Sequence, residues 1–138
     1  MSDVVVCDAS ALAAVLLDAG HAGVWATARL EGVDLAAPDL LPHEAANILR
    51  RHELAKLISP DQAAQAHADL LDLTIELWPY ELLAGRAWEL RHNLSIYDAG
   101  YVALAERLDG TLVTLDERIA GAPGLRCSVA TLPPAPDP

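Results

Sequence analysis

An α/β fold with a mainly parallel central sheet is what this chain of 138 residues predicts, and three observations carry that expectation. Apolar runs of strand length alternate with longer segments of helical period from one end to the other. Two helix starts are signalled in the sequence: Ser59-Pro60-Asp61-Gln62 has the form of a capping box with proline at the first helical position, and Ser95-Ile96-Tyr97-Asp98 has the same form. The composition, 53% hydrophobic and 21% charged, suits one globular domain with a substantial core.

The elements follow in order. The first strand is residues 3 to 8, where Val4-Val5-Val6-Cys7 reads as buried on both faces and stops on a carboxylate, Asp8. A helical pattern at about 10 to 31 is interrupted near Gly20, and Val33-Asp34-Leu35-Ala36-Ala37 forms the second strand. Helical patterns at 40 to 57 and 60 to 72 precede a third strand at 74 to 77. Helices at 80 to 93 and 96 to 108 lead to a fourth strand, Thr111-Leu112-Val113-Thr114-Leu115, and a weak fifth lies near 126 to 129. Residues 1 to 132 make the domain; Pro133-Pro134-Ala135-Pro136-Asp137-Pro138 cannot pair in a sheet and is expected to be a loose tail.

Several classes are disfavoured early. No apolar run approaches the roughly 20 residues that span a bilayer, and the start shows no basic leader, so the expected location is the cytoplasm without a membrane partner. Cys7 and Cys127 have no C-x-x-C spacing and read as small core residues. Twenty acidic residues face nine Lys and Arg, for a formal charge of −11 with Lys56 the single lysine. Such a surface repels nucleic acid, so a polyanionic substrate needs bound metal, a few focused arginines or a basic partner.

Four carboxylates stand out, and each has a plain explanation. Asp8 can cap the helix it opens, Glu44 can favour a helix dipole, Asp98 is the third residue after its cap serine, and Asp116 can cap the turn Glu117-Arg118-Ile119. Their placement adds to this. In a parallel sheet the carboxyl ends of strands and the amino ends of the following helices share one edge, where ligands bind. Asp8 and Asp116 close two strands, and Glu44 starts the helix after a third. A helix over 96 to 108 runs about 18 Å, and the strand from 111 to 115 returns about 17 Å, so Asp98 is expected beside Asp116. Like charges so gathered take up protons unless a cation sits among them, and Mg2+ or Mn2+ prefers such oxygen ligands.

At these residues the chain resembles the PIN-domain ribonucleases, and more narrowly the VapC toxins of toxin-antitoxin pairs. The resemblance rests on Asp8-Ala9-Ser10 after the first strand, Glu44-x-x-Asn47 in a middle helix, Tyr97-Asp98-Ala99-x-Tyr101-Val102-Ala103-Leu104-Ala105 opening a late helix, and Thr114-Leu115-Asp116 ending a late strand. It implies a three-layer α/β/α fold and an Mg2+- or Mn2+-dependent endoribonuclease that hydrolyses RNA, tRNA or rRNA, by metal-activated water. It also implies a cognate VapB-type antitoxin and a homodimer. Asp8, Glu44, Asp98 and Asp116 match the acidic metal-binding set, Ser10 and Thr114 the hydroxyl positions beside it, and Asn47 the polar position one turn past the glutamate. The acidic balance is the least expected feature for an RNA-cutting enzyme.

Other residues and readings are weighed beside these. Glu44, Asn47 and Arg51, at i, i+3 and i+7, share one helix face, so Arg51 is a candidate phosphate contact, though a basic cluster late in a helix also suits the dipole. Tyr97 and Tyr101 could stack a base but read first as packing residues. His43-Glu44-Ala45-Ala46-Asn47 misses the zinc signature at its last position. A phosphoaspartyl-forming phosphatase-like domain and a non-catalytic binding module whose acids merely cap helices remain the alternatives.

Overall fold

The computed structural model describes residues 3–17 and 20–137. The break expected near Gly20 adjoins residues 18 and 19, which lie outside the described residues, as do 1, 2 and the final position of the tail.

The strands are β1 (Val4–Cys7), β2 (Asp34–Pro38), β3 (Ile75–Trp78), β4 (Thr111–Thr114) and β5 (Ser128–Thr131). They form one sheet in the order β3-β2-β1-β4-β5, and every neighbouring pair is parallel. Helices α1 (Ala9–Leu17), α2 (His21–Leu30), α3 (Leu41–Leu54) and α4 (Pro60–Asp72) precede β3, while α5 (Ala84–Glu89), α6 (Ile96–Arg107) and the single turn α7 (Glu117–Ala120) follow it. Helix α1 packs on α2, α3 and α4, and α3 also on α4; α5 packs on α6, and α6 lies against β1, β2 and β4. This is the expected α/β/α arrangement of helices flanking a parallel sheet.

The burial follows from the residues. Val6, Cys7, Leu112 and Val113 in the two central strands are buried, as a strand covered on both faces requires. Helix α6 is buried from Ala99 through Ala105, and its run of small residues lets it lie close on the sheet. Burial pushes the Cys7 thiol up to about 12, so it remains an inert core residue. At the entry to β4 a Cβ on Gly110 would stand 2.7 Å from the Val4 carbonyl oxygen, so glycine there permits β1 and β4 to approach.

Two expectations are corrected. The helix predicted over 80–93 is instead a 3₁₀ turn, Tyr80–Leu82, followed by the short α5. Leu83, with φ −110°, interrupts the spiral between them, and after Leu90 the chain turns through Asn93 and Leu94 toward the Ser95 cap. The fifth strand starts at Ser128 rather than 126, because the Arg126 backbone N–H donates to Glu106 Oε2 at 2.7 Å and is unavailable to the ladder. Ser59 and Gln62 form the full reciprocal capping box, and the Ser95 hydroxyl accepts from the Asp98 N–H at 3.1 Å. Residues 132–137 have no regular structure, with Pro133 O bonded to His21 Nε2 at 2.9 Å.

The topology locates the site. From β1 the chain lays β2 and β3 to one side, then crosses to place β4 and β5 on the other, so the order reverses between β1 and β4. The carboxyl ends of these two strands bound the crevice that open parallel sheets offer to ligands.

Candidate active site

Register brings the first two acids together. Cys7 pairs with Val113, and the Asp8 N–H continues the ladder to Val113 O at 3.2 Å, so Asp8 leaves β1 level with Thr114. The Asp8 side chain is 6% exposed. Its Oδ1 accepts from Ser10 Oγ at 2.6 Å and from the Ala11 N–H at 3.0 Å, and Oδ2 accepts from Thr114 Oγ1. Asp8 therefore does cap α1, as the plain explanation holds, while about one of the roughly four acceptor positions of a carboxylate stays open.

Each hydroxyl has a second task. Ser10 Oγ accepts from the Leu115 N–H at 3.1 Å, and Thr114 Oγ1 from the Asp116 N–H at 3.0 Å. The start of α1 is thereby tied to the chain leaving β4. Asp116 caps α7 by accepting from the Arg118 N–H at 3.0 Å, and the Arg118 guanidinium grips both its oxygens, Nε to Oδ1 at 3.0 Å and Nη2 to Oδ2 at 2.8 Å.

Glu44 lies in the first turn of α3, and its Oε1 accepts from Tyr101 Oη at 2.8 Å. Tyr101 stands one turn after Asp98 on α6, itself buried at 2% exposure. Asp8, Glu44, Asp98 and Asp116, from four distant segments, all line one open cleft of about 430 Å³. Ser10, Asn47 and Arg51 line it too, whereas Thr114 is fully buried behind Asp8. Arg50 and Lys56 do not reach the cleft; Lys56 ends α3 with φ 60°.

The electrostatics mark the cluster as short of positive charge. Burial holds the Asp8 carboxyl above its ordinary value despite the Ser10, Thr114 and Ala11 donors. Glu44 is raised by burial, opposed by the Tyr101 hydroxyl and reinforced by Asp98 and Asp8. Asp98 is raised by burial and by Asp116, with the Ser95 hydroxyl opposing. Asp116 alone is lowered, because Arg118 bonds it. Three of four acids are thus easier to protonate than free carboxyls, chiefly because burial penalises their charge, with neighbouring carboxylates adding to it at Glu44 and Asp98.

The donor set is oxygen only, which fits a hard divalent cation and not zinc or copper. Among the described residues no three His, Cys, Asp or Glu side chains close around a single point. Mg2+ keeps several of its waters when bound, so it does not require three side chains to close around it.

Sequence reasoning missed Arg118 and the bond from Tyr101 to Glu44. The first had a signal in the two-residue spacing Asp116-x-Arg118, which a one-turn helix closes into an ion pair. The second had one in the i, i+3 spacing of Asp98 and Tyr101, which puts both on one face of α6.

The PIN domain family matches residues 5–125. Ribonuclease VapC1 of Mycobacterium tuberculosis is 40% identical over 128 residues, 92% of this chain and 96% of that protein. Ribonuclease VapC3 of Pyrobaculum aerophilum is 34% identical over 119 residues, 83% of this chain and 91% of that protein. Among solved structures, PAE2754 from Pyrobaculum aerophilum is 29% identical with a TM-score of 0.60, covering 88% of this chain and 86% of that one. VapBC2 from Rickettsia felis, bound to a DNA fragment from its promoter, has a TM-score of 0.65 over 93% of this chain and 98% of that one; at 12% identity it speaks to the fold alone.

Proposed function

We propose, from the premise that this chain belongs to the PIN-domain family and within it to the VapC ribonucleases, that it is the toxin of a type II toxin-antitoxin pair. It acts in the cytoplasm as an Mg2+- or Mn2+-dependent endoribonuclease, with tRNA or rRNA as the substrate class. The observation that carries the reading is the convergence of Asp8, Glu44, Asp98 and Asp116 on one cleft at the point where strand order reverses.

Asp8, Asp98 and Asp116 would hold the ion, with Glu44 completing the set. When bound, such an ion supplies positive charge against the charge developing on the phosphoryl oxygens and lowers the pKa of attacking water. The chain's own residues do the rest. Ser10 and Thr114 fix the Asp8 carboxylate in one orientation, leaving a lone pair on Oδ2 toward the cleft. Tyr101 holds Glu44 so that its second oxygen can orient a water. Arg51 offers a guanidinium to the substrate phosphate. A phosphoaspartyl mechanism fares worse, since an Asp8 carboxylate committed to three donors is a poor nucleophile.

The partner belongs to the same reading. Between α1 and α3 lies a groove of about 250 Å³, walled by Ala13, Ala14, Leu17 and Ile48 and sharing Ser10 and Arg51 with the cleft. A VapB-type antitoxin helix would lay its apolar face there and could reach an arginine in among the acids, where Arg118 already shows how a guanidinium satisfies one of them. Homodimerisation has exposed apolar side chains available in Val24, Leu57 and Leu71.

The test is cleavage of tRNA and rRNA by purified protein. Chelation should abolish it, Mg2+ or Mn2+ should restore it, and Asp8→Asn or Asp98→Asn that still folds should lose at least about 100-fold in rate. Cleavage that survives chelation would falsify the reading.

A further inference from the structure

The chain has three tyrosines and no phenylalanine, and all three tyrosines line a single cavity that the proposed reaction does not use. This pocket, about 220 Å³, is formed by Pro38, Leu83, Gly100 and the rings of Tyr80, Tyr97 and Tyr101. Two of the rings stand at its mouth, Tyr97 at 61% and Tyr80 at 44% exposure. It adjoins the carboxylate cleft directly, because Glu44 and Tyr101 line both and their hydrogen bond forms the shared wall.

We infer that this pocket receives one unpaired nucleobase of the RNA, next to the phosphate engaged at the carboxylates; the inference rests on the ribonuclease reading above. Successive residues of α6 divide the work, Tyr97 facing the pocket and Asp98 the cleft. Because the two cavities share the wall formed by Glu44 and Tyr101, a nucleotide whose phosphate lies in the cleft would set its base at the tyrosine pocket. The volume is below the roughly 300 Å³ at which drug-sized ligand sites begin, which suits a single base. Aromatic faces bind a base by stacking without regard to its identity, so the pocket selects for a base that is out of a helix. Continuity with the cleft favours the nucleobase over an apolar side chain of a partner protein.

Gly100 gives an independent handle. A Cβ there would meet Pro38 Cγ at 3.8 Å, ordinary contact, so Gly100→Ala fits the fold and adds a methyl to the pocket floor. Alanine is also the better helix former. The variant therefore separates loss of binding from loss of structure.

The experiment titrates protein into a single-stranded RNA oligonucleotide carrying 2-aminopurine, with Ca2+ in place of Mg2+, and follows the fluorescence of the base analogue. Quenching on binding is expected, with affinity falling about 5- to 150-fold in Tyr97→Ala, the range for one lost stack. Gly100→Ala should weaken binding while raising the midpoint of thermal unfolding. Trp88→Ala, which removes an exposed ring outside the pocket that Arg91 covers at 4.6 Å, should bind as the unsubstituted protein does. Unchanged affinity in both Tyr97→Ala and Gly100→Ala, or equal affinity for an oligonucleotide abasic at that position, overturns the pocket. Equal abasic binding together with an antitoxin complex weakened by Tyr97→Ala assigns the cavity to the partner protein and overturns it likewise. Metal-dependent cleavage by the unsubstituted protein, scored separately, shows whether the nuclease reading stands in either case.

Discussion

The Asp8 carboxylate is held by two hydroxyls that each donate one hydrogen bond and accept another, so neither has a further proton to donate. Thr114→Val keeps the shape but strips a donor from Asp8, where the bond is buried, and an acceptor from the part-buried Asp116 N–H. It should cost about 2 to 3 kcal/mol, measured by urea unfolding, and push the already raised Asp8 carboxyl further up. Ser10→Ala, at a half-buried position, should cost about 1 kcal/mol. A Thr114→Val protein as stable as its parent would mean that water replaces the hydroxyl. The four acids were legible because strand ends and helix starts can be read from apolar runs and caps. The Arg118 ion pair and the Tyr101 bond left only a spacing signal, because whether such a pair closes depends on side-chain directions that element boundaries alone do not give.

At the scale of elements, α3 and α6 end alike. Lys56 and Asp109 take left-handed conformations, φ 60° and 52°, and the following N–H reaches back five residues, Leu57 to His52 O and Gly110 to Ala105 O, each at 2.9 Å. Glycine is the usual residue at that position, since a Cβ there is strained. Lys56→Gly and Asp109→Gly should each stabilise the protein by about 0.5 to 1 kcal/mol, read as a rise in unfolding midpoint. Gly110→Ala should destabilise, because its methyl would press on the Val4 carbonyl. These endings were invisible to a reading that looked for glycine after a helix. The predicted helix over 80–93 failed for a related reason: Leu83, Ala87 and Leu90 have helical spacing and are buried, yet the pattern is blind to the local break at Leu83.

The junction beyond α6 is pinned electrostatically. Arg86 Nε donates to Glu106 Oε1 at 2.6 Å and Nη2 to Gly124 O at 2.6 Å, while Glu106 Oε2 takes the Arg126 N–H. Burial pushes the Glu106 carboxyl up, but Arg86 and the Arg126 N–H outweigh it and hold it below its ordinary 4.5. A lowered acid stabilises the fold above its unfolded pKa and gives that up as pH falls through the folded value. Arg86→Leu should therefore cost about 2 kcal/mol near pH 7 and progressively less below pH 4.5. A penalty independent of pH would assign the loss to packing instead.

Across the whole molecule, a formal charge of −11 has to be reconciled with a polyanionic substrate, and the distribution of the few cations offers the means. Of the arginines, Arg51 and Arg118 alone line the carboxylate cleft, and Arg118 is spent on Asp116 until some other positive charge relieves it. If a divalent ion shares the acids, as proposed, two guanidinium groups would become available to phosphate. Each phosphate neutralised on a single strand adds about 0.7 to the slope of log affinity against log salt, so RNA binding in the presence of metal should show a slope near −1.4, shallow for a nucleic-acid enzyme. Arg51→Gln should halve that slope and weaken binding by a similar factor for every RNA sequence. Arg29, which lies over the Trp25 ring at 5.7 Å, should leave the slope unchanged when replaced by Gln. A slope steeper than about −3 for the unsubstituted protein would require cations beyond the cleft, and the focusing of a scarce positive charge at one edge would then not explain how so acidic a protein holds RNA.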